Sequence, residues 1–395
     1  MSNRLCDLSC KWKPGGSAAQ RLSYFVMIPL LAPKGLEVII PWYKTFFTAW
    51  SVLALAIIVL ESFICFYRRR TPTPIPMGLV AYSLIAVAVS AFSSDGINDG
   101  LQKLFFYPGA FLYILSRNKE ELRDYVMACA HILCGLLVLN FIIPSSLFAG
   151  SFHMTVLGHV QVFCQYGLLA IAVASFIYLK KWGSRHLAIV LGCLGFACLL
   201  TAETDSAHYS LVVFIGVLCL VKVFPRVIRL DLRPVVLLAN LFSCLVVLLT
   251  VFRQSPLMDT GIDWTFNGRY FVWESAGMLI QQAPLFGYGV ENAIISTFWS
   301  SGMNYAHNQI VQSLLDGGVV LMVAMVWMLC SVAGCVNKIA DPQLHCISGA
   351  MLCASLFFMI FDCFTQYSYM FILFAFIACE GLLSVKESNS EPESC

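Results

Sequence analysis

The chain has 395 residues, of which 59% are hydrophobic and only 12% charged, and its mean hydropathy is +0.80. That composition excludes a soluble globule and points to an all-α polytopic membrane protein. The net charge of +2 singles out no class of partner, and no nucleic-acid partner is expected.

A spanning helix needs about 20 mostly apolar residues. In chain order, twelve segments qualify: 17–33, 46–67, 74–92, 99–116, 125–148, 161–179, 187–202, 207–222, 234–252, 319–336, 347–364 and 367–385. The first is cut short by Pro33-Lys34-Gly35 and requires Arg21 to snorkel, and the fourth contains Lys103. With the N-terminus inside and the sides alternating, 19 of the 24 Lys and Arg residues fall on inner segments. Only Lys34, Lys44, Lys103, Arg253 and Arg269 do not. This bias predicts a multi-pass protein with both termini cytoplasmic.

The 17 cysteines are scattered through spans and inner segments, so small apolar fillers are expected rather than a disulfide framework. Cys6 and Cys10 form a C-x₃-C pair that by itself is a weak metal signal, and no metal site is expected. No cleavable signal peptide is apparent. The organisation expected is a bundle of about nine spans in residues 1–252, an extracytoplasmic loop in 253–318, three spans in 319–385 and a short cytoplasmic tail in 386–395.

The loop 253–318 holds the chemistry. Within "NGRYFVWESAGMLIQQAPLFGYGVEN" (267–292), Asn267-Gly268 reads as a cap, 269–282 as a helix carrying Arg269 and Trp273 one turn apart, and Pro284 as its end. The "PLFGYG" bend is either a turn or a set of backbone N–H groups aimed at an anion. Asn308, Gln312 and Asp316 follow at i, i+4, i+8, with Ile310, Val311, Leu314 and Leu315 opposite them. That spacing predicts a short amphipathic helix on the outer membrane surface, begun by His307 and ended by a bend at Gly317-Gly318.

Arg269 offers a permanent cation with two-pronged phosphate geometry, and a neutral His307 can accept a proton. Each has a plainer reading: an interfacial arginine snorkels, and a histidine beginning a helix caps it. Trp273 and Trp299 read as interfacial belt aromatics. In the turn "TAETDSAHYS" (201–210), His208 either joins the same pocket or caps a span. Glu61 and Glu380, near inner ends of spans, are expected to pair with basic loops or backbone.

Gly268, Arg269 and Trp273, then Pro284, Leu285, Gly287 and Gly289, then His307, Asn308, Gln312 and Gly318 together resemble the motifs of the O-antigen ligase and polysaccharide polymerase superfamily. "PLLAPKGLE" (29–37) is similar to the end of the first span in its polymerases. The resemblance implies a glycosyltransferase C-like membrane fold and metal-independent, cofactor-free glycan transfer from an undecaprenyl-pyrophosphate-linked oligosaccharide at the outer face of the bacterial cytoplasmic membrane. It implies that Arg269 holds the pyrophosphate, that His307 acts as base on the acceptor hydroxyl or orients it, and that Asn308 and Gln312 shape the substrate pocket. A flippase and a chain-length regulator are the implied protein partners. Many members carry Arg or Lys on the turn before the eighth span. This chain has "ETDSAHYS" there, which leaves His208, Arg253 or Lys103 to supply the second charge. The rival readings are a ligase with a different terminal acceptor, a polytopic transporter, and a non-enzymatic presenter of lipid-linked glycan.

Overall fold

A computed structural model describes residues 17–67, 77–93, 107–115, 119–148, 153–226, 230–252, 268–298 and 302–390. Lys103, Arg253, Trp299, Cys6 and Cys10 lie outside them. Among the described residues each of the twelve apolar segments contains or overlaps a helix: α1 (Ser17–Leu30), α2 (Tyr43–Tyr67), α3 (Met77–Ala91), α4 (Tyr107–Leu115), α5 (Lys119–Ile142), α6 (Phe163–Lys180), α7 (Arg185–Leu200), α8 (Asp205–Val223), α9 (Arg233–Phe252), α11 (Gln309–Val336), α12 (Pro342–Phe361) and α13 (Tyr369–Ser390). Between α9 and α11 lies the predicted loop helix, α10 (Arg269–Gln282). Among the described residues six helices are long and apolar enough to cross a bilayer, and several more are apolar but shorter. The fold is that of an all-α polytopic membrane protein.

Burial ranks the helices. α6 and α13 are buried around nearly their whole circumference and form the centre, whereas α2, α8 and α9 each turn an apolar face outward. Close approach at the centre comes from small residues. A Cβ on Gly167 would stand 2.5 Å from Leu199 Cγ and 3.0 Å from the Gly195 carbonyl, so α6 and α7 pack nearly backbone to backbone. Two acids inside the bundle, Glu61 and Glu380, have side-chain partners. Lys180 of α6 and Glu380 of α13 form an ion pair, and the Tyr113 hydroxyl donates to Glu61 at 2.6 Å. Both acids thus have partners, as expected, although for Glu61 it is a neighbouring tyrosine.

The first correction concerns α11. Its polar residues do not lie on a membrane surface: Asn308, Gln309, Gln312, Ser313 and Asp316 are all buried. The helix runs on into the apolar span through a break at Gly317 (φ −150°, ψ 19°) and Gly318 (φ 63°, ψ −160°), where the bend was expected. The "PLFGYG" segment wraps this break. Tyr288 N–H donates to the Leu315 carbonyl at 2.8 Å and Gly289 N–H to Asp316 O at 2.9 Å. Val319 N–H returns a bond to Pro284 O at 2.9 Å. The Tyr288 and Gly289 N–H groups of the bend are therefore committed to carbonyls that the broken helix leaves free, not aimed at an anion. Only glycine suits the contact: Gly287 has φ 59°, and a Cβ there would sit 2.4 Å from the Leu315 carbonyl oxygen.

A second ordered connection, between α5 and α6, is longer than the hydropathy pattern suggested. It contains a two-residue hairpin, β1 (Met154–Thr155) and β2 (Gly158–His159), and packs against the "PKGLE" turn through Gly35 N–H to Val156 O at 3.2 Å.

Candidate active site

The site is assembled at one end of the bundle around two motif residues. Gly268, at φ 72°, turns the chain into α10, and Arg269 and Trp273 then share one face of that helix. Trp273 is not an interfacial belt residue. It is 1% exposed, and its indole N–H donates to the Ala306 carbonyl at 2.8 Å. Gln312 Oε1 accepts the Ala306 N–H at 2.9 Å. Both polar groups of the residue preceding His307 are thereby held, one by α10 and one by α11. The next residue is held as well: Asn308 Oδ1 accepts from Ile310 N and Val311 N at 2.9 and 3.0 Å, and its Nδ2 donates to Ser243 and to the Ile360 carbonyl.

Between these clamps His307 adopts φ 51°, a left-handed conformation uncommon outside glycine and typical of functional positions. Its ring stands edge-on to Tyr305, with centroids 4.5 Å apart. Its Nδ1 lies 3.3 Å from Gln161 Nε2. Burial, then the nearby Arg269 cation, then His159 hold the imidazole's pKa down to about 3, so the ring is neutral at physiological pH. Arg269 is depressed by burial, an effect opposed by the carboxylates of Asp362 and Asp205, and it keeps its charge. Asp362, 2% exposed at the end of α12, is raised to about 7 by burial against the opposing pull of its own hydrogen bond from Cys363 N and of Arg269.

Arg269 lines a cleft of about 220 Å³ with His153, His159, Val160, Gln161, Glu203, Thr204, Asp205 and Ser206. Two elements far apart in sequence build the opposite wall: the hairpin before α6 and the turn before α8. They are joined by His153 Nδ1 to Glu203 Oε2 at 2.7 Å. A half-buried cation facing hydroxyl, amide and carboxylate groups suits a ligand with one anionic part and one polyhydroxylated part.

The predicted residues thus fall into groups. Arg269 and His307 are brought together. Asn308 and Gln312 lie beside them, but their amides are bonded to neighbouring protein groups, which makes them supports of the His307 loop rather than free binding groups. His208 does not line the cleft; its Nε2 bonds the Leu200 carbonyl at 3.2 Å, at the end of α7. Sequence reasoning missed Gln161, His153, His159 and Asp362. The two histidines of "SFHMTVLGHVQ" (151–161) were a readable signal, being titratable groups in a loop between spans.

Residues 162–326 match the family model described as O-Antigen ligase. The match over this segment supports the resemblance to the O-antigen ligase and polysaccharide polymerase superfamily. The match contains the Arg269, Trp273, His307 and Gln312 cluster and the 203–206 turn; it stops short of Asp362 and begins one residue after Gln161. No curated protein matches the chain. The match supports a membrane enzyme of surface polysaccharide assembly.

Proposed function

We propose that the protein polymerises undecaprenyl-pyrophosphate-linked repeat units, transferring a growing glycan from its carrier to a sugar hydroxyl of an incoming unit. The observation that carries this reading is the convergence of Arg269 and His307 from separate elements: the Arg269 charge acts on the His307 imidazole, and Gln161, which contacts His307, lines the cleft with Arg269. Arg269 grips the diphosphate and stabilises the charge it gains on leaving. A neutral His307 contacts the reacting groups beside it. The hairpin and the 203–206 turn offer hydrogen bonds to the sugars. In this reading the twelve helices all span in a glycosyltransferase C-like arrangement, both termini face the cytoplasm, and the cleft opens at the outer face of the inner membrane. A flippase supplies the substrate, and a chain-length regulator acts on the product.

The family's description favours a second reading, a ligase that hands the finished glycan to a terminal acceptor. Gels of lipid-linked and surface glycans from wild-type, deletion and His307→Ala cells separate the two. A polymerase predicts single lipid-linked repeats and loss of the ladder in both defective strains. A ligase predicts long polymers retained on the carrier. An unchanged profile in the deletion strain rejects both.

A further inference from the structure

We propose that Gln161 is a positioning residue: its side-chain amide donates to His307 Nδ1, fixes the imidazole as the Nε2–H tautomer, and so makes His307 a hydrogen-bond donor to the diphosphate rather than a base. The inference rests on the reading of this cleft as a diphosphate site and assigns the proton within it.

The chemistry follows from the contact. An amide nitrogen can only donate, so the 3.3 Å approach of Gln161 Nε2 requires a lone pair on His307 Nδ1. A neutral imidazole has one N–H, which then sits on Nε2. Gln161 is well placed to impose this choice. It lies in the single 3₁₀ turn Val160–Val162 between the hairpin and α6, and its own N–H is accepted by His159 Nδ1 at 3.4 Å. It also lines the cleft with Arg269, whose charge favours the amide oxygen on the cleft side and the amide nitrogen toward His307.

The ring has little freedom to choose otherwise. Trp273 and Gln312 hold the preceding residue, Asn308 caps the following helix, and Tyr305 stands against the ring edge-on. The charged and titratable groups around it are Arg269 from α10 and His159 from the hairpin, with Asp362 and Asp205 acting on Arg269 from beyond. Burial and the two neighbouring bases both oppose an imidazolium. A ring that resists a second proton and already carries one on Nε2 is suited to donating. A neutral imidazole donor can stabilise charge developing on a leaving group, as in other enzymes that keep histidine neutral. It would work beside the Arg269 guanidinium without a second cation. That fits a chain whose 201–210 turn carries Glu203 and Asp205 and neither Arg nor Lys.

The test uses the full-length protein, ¹⁵N-histidine-labelled, in lipid nanodiscs, with His307→Gln used to assign the ring signals. From about pH 5 to 8, wild-type His307 should show an unprotonated Nδ1 and a protonated Nε2. Protonated Nδ1 with bare Nε2 would overturn the inference while leaving the transferase reading intact. Undecaprenyl diphosphate should then shift the Nε2–H signal. If the tautomer is as expected but the lipid leaves that signal unmoved, the donor role fails, and with it the diphosphate reading of the cleft. Gln161→Glu should reverse the tautomer, because a carboxylate accepts from Nδ1–H, and should abolish the lipid-dependent shift. Gln161→Leu, which removes one orienting bond, should slow glycan transfer about tenfold. Transfer at the wild-type rate in Gln161→Leu would also overturn the inference.

Discussion

Arg269 and His307 meet because a third residue joins their elements. Trp273, one turn beyond Arg269, holds the carbonyl just before His307. The G-R-x-x-x-W spacing is therefore a device for docking a cation beside an imidazole. Replacing Trp273 with Phe keeps most of the packing but leaves the buried Ala306 carbonyl without its indole donor. The expected loss is about 1–3 kcal/mol, read as a lower unfolding midpoint, with reduced glycan transfer. Arg269→Lys should lose on the order of a hundredfold in transfer rate, since a point charge cannot reproduce the two-pronged grip. Protonation adds a signed prediction. His307, held near 3 against an ordinary 6.5, contributes stability that is full above pH 6.5 and lost as pH falls toward 3. Asp362, held near 7 against an ordinary 3.8, contributes stability that is full below 3.8 and lost as pH rises through 7. Unfolding midpoints measured against pH should therefore show Asp362→Asn removing the loss on the neutral side and His307→Gln removing the loss on the acid side.

Among the elements, the broken helix α11 and the glycine bend that wraps it form one unit. A Cβ on Gly318 would lie 2.2 Å from the Leu285 carbonyl carbon, at a backbone conformation that side chains avoid. Gly318→Ala is expected to lower the unfolding midpoint and to disable transfer by displacing the Gln312–Asp316 row. Gly334→Ala, in the same helix, has only the far end of the Arg233 side chain 3.9 Å away and should do neither. The glycines and the polar i, i+4, i+8 row were legible because they depend only on local spacing. Their environment was not. A polar stripe opposite an apolar one describes a surface helix and a buried helix with polar partners equally well. What decides between them is whether Ser243, Ile360 and the 284–289 bend surround it. Gln161 was hidden for the same reason, since its partner lies 146 residues away. Asp362 was hidden at the end of an apolar run, where hydropathy averages it out.

For the whole molecule, each apolar segment contains or overlaps a helix among the described residues, because burial in lipid or protein imposes the same apolar run on each. Hydropathy could not tell central helices from peripheral ones. That ordering follows from pairs such as Lys180–Glu380, which bind α6 to α13. Lys180→Met should strand a carboxylate whose side chain is 4% exposed, lowering stability by about 3–5 kcal/mol. The double variant with Glu380→Leu should recover most of that loss, and urea or thermal unfolding in detergent would measure both. The break in α11 has a further consequence. Only residues 319–336 remain for the apolar part of that helix, about 27 Å at 1.5 Å per residue, slightly less than the ~30 Å hydrocarbon layer of an ordinary bilayer. The helix cannot lengthen at its upper end without unwinding the residues that hold His307. Bilayer thickness is therefore expected to bear on the loop that holds His307. Thicker membranes must either thin around the protein or pull on that loop, so transfer rates should fall as the acyl chains of the host lipid are lengthened.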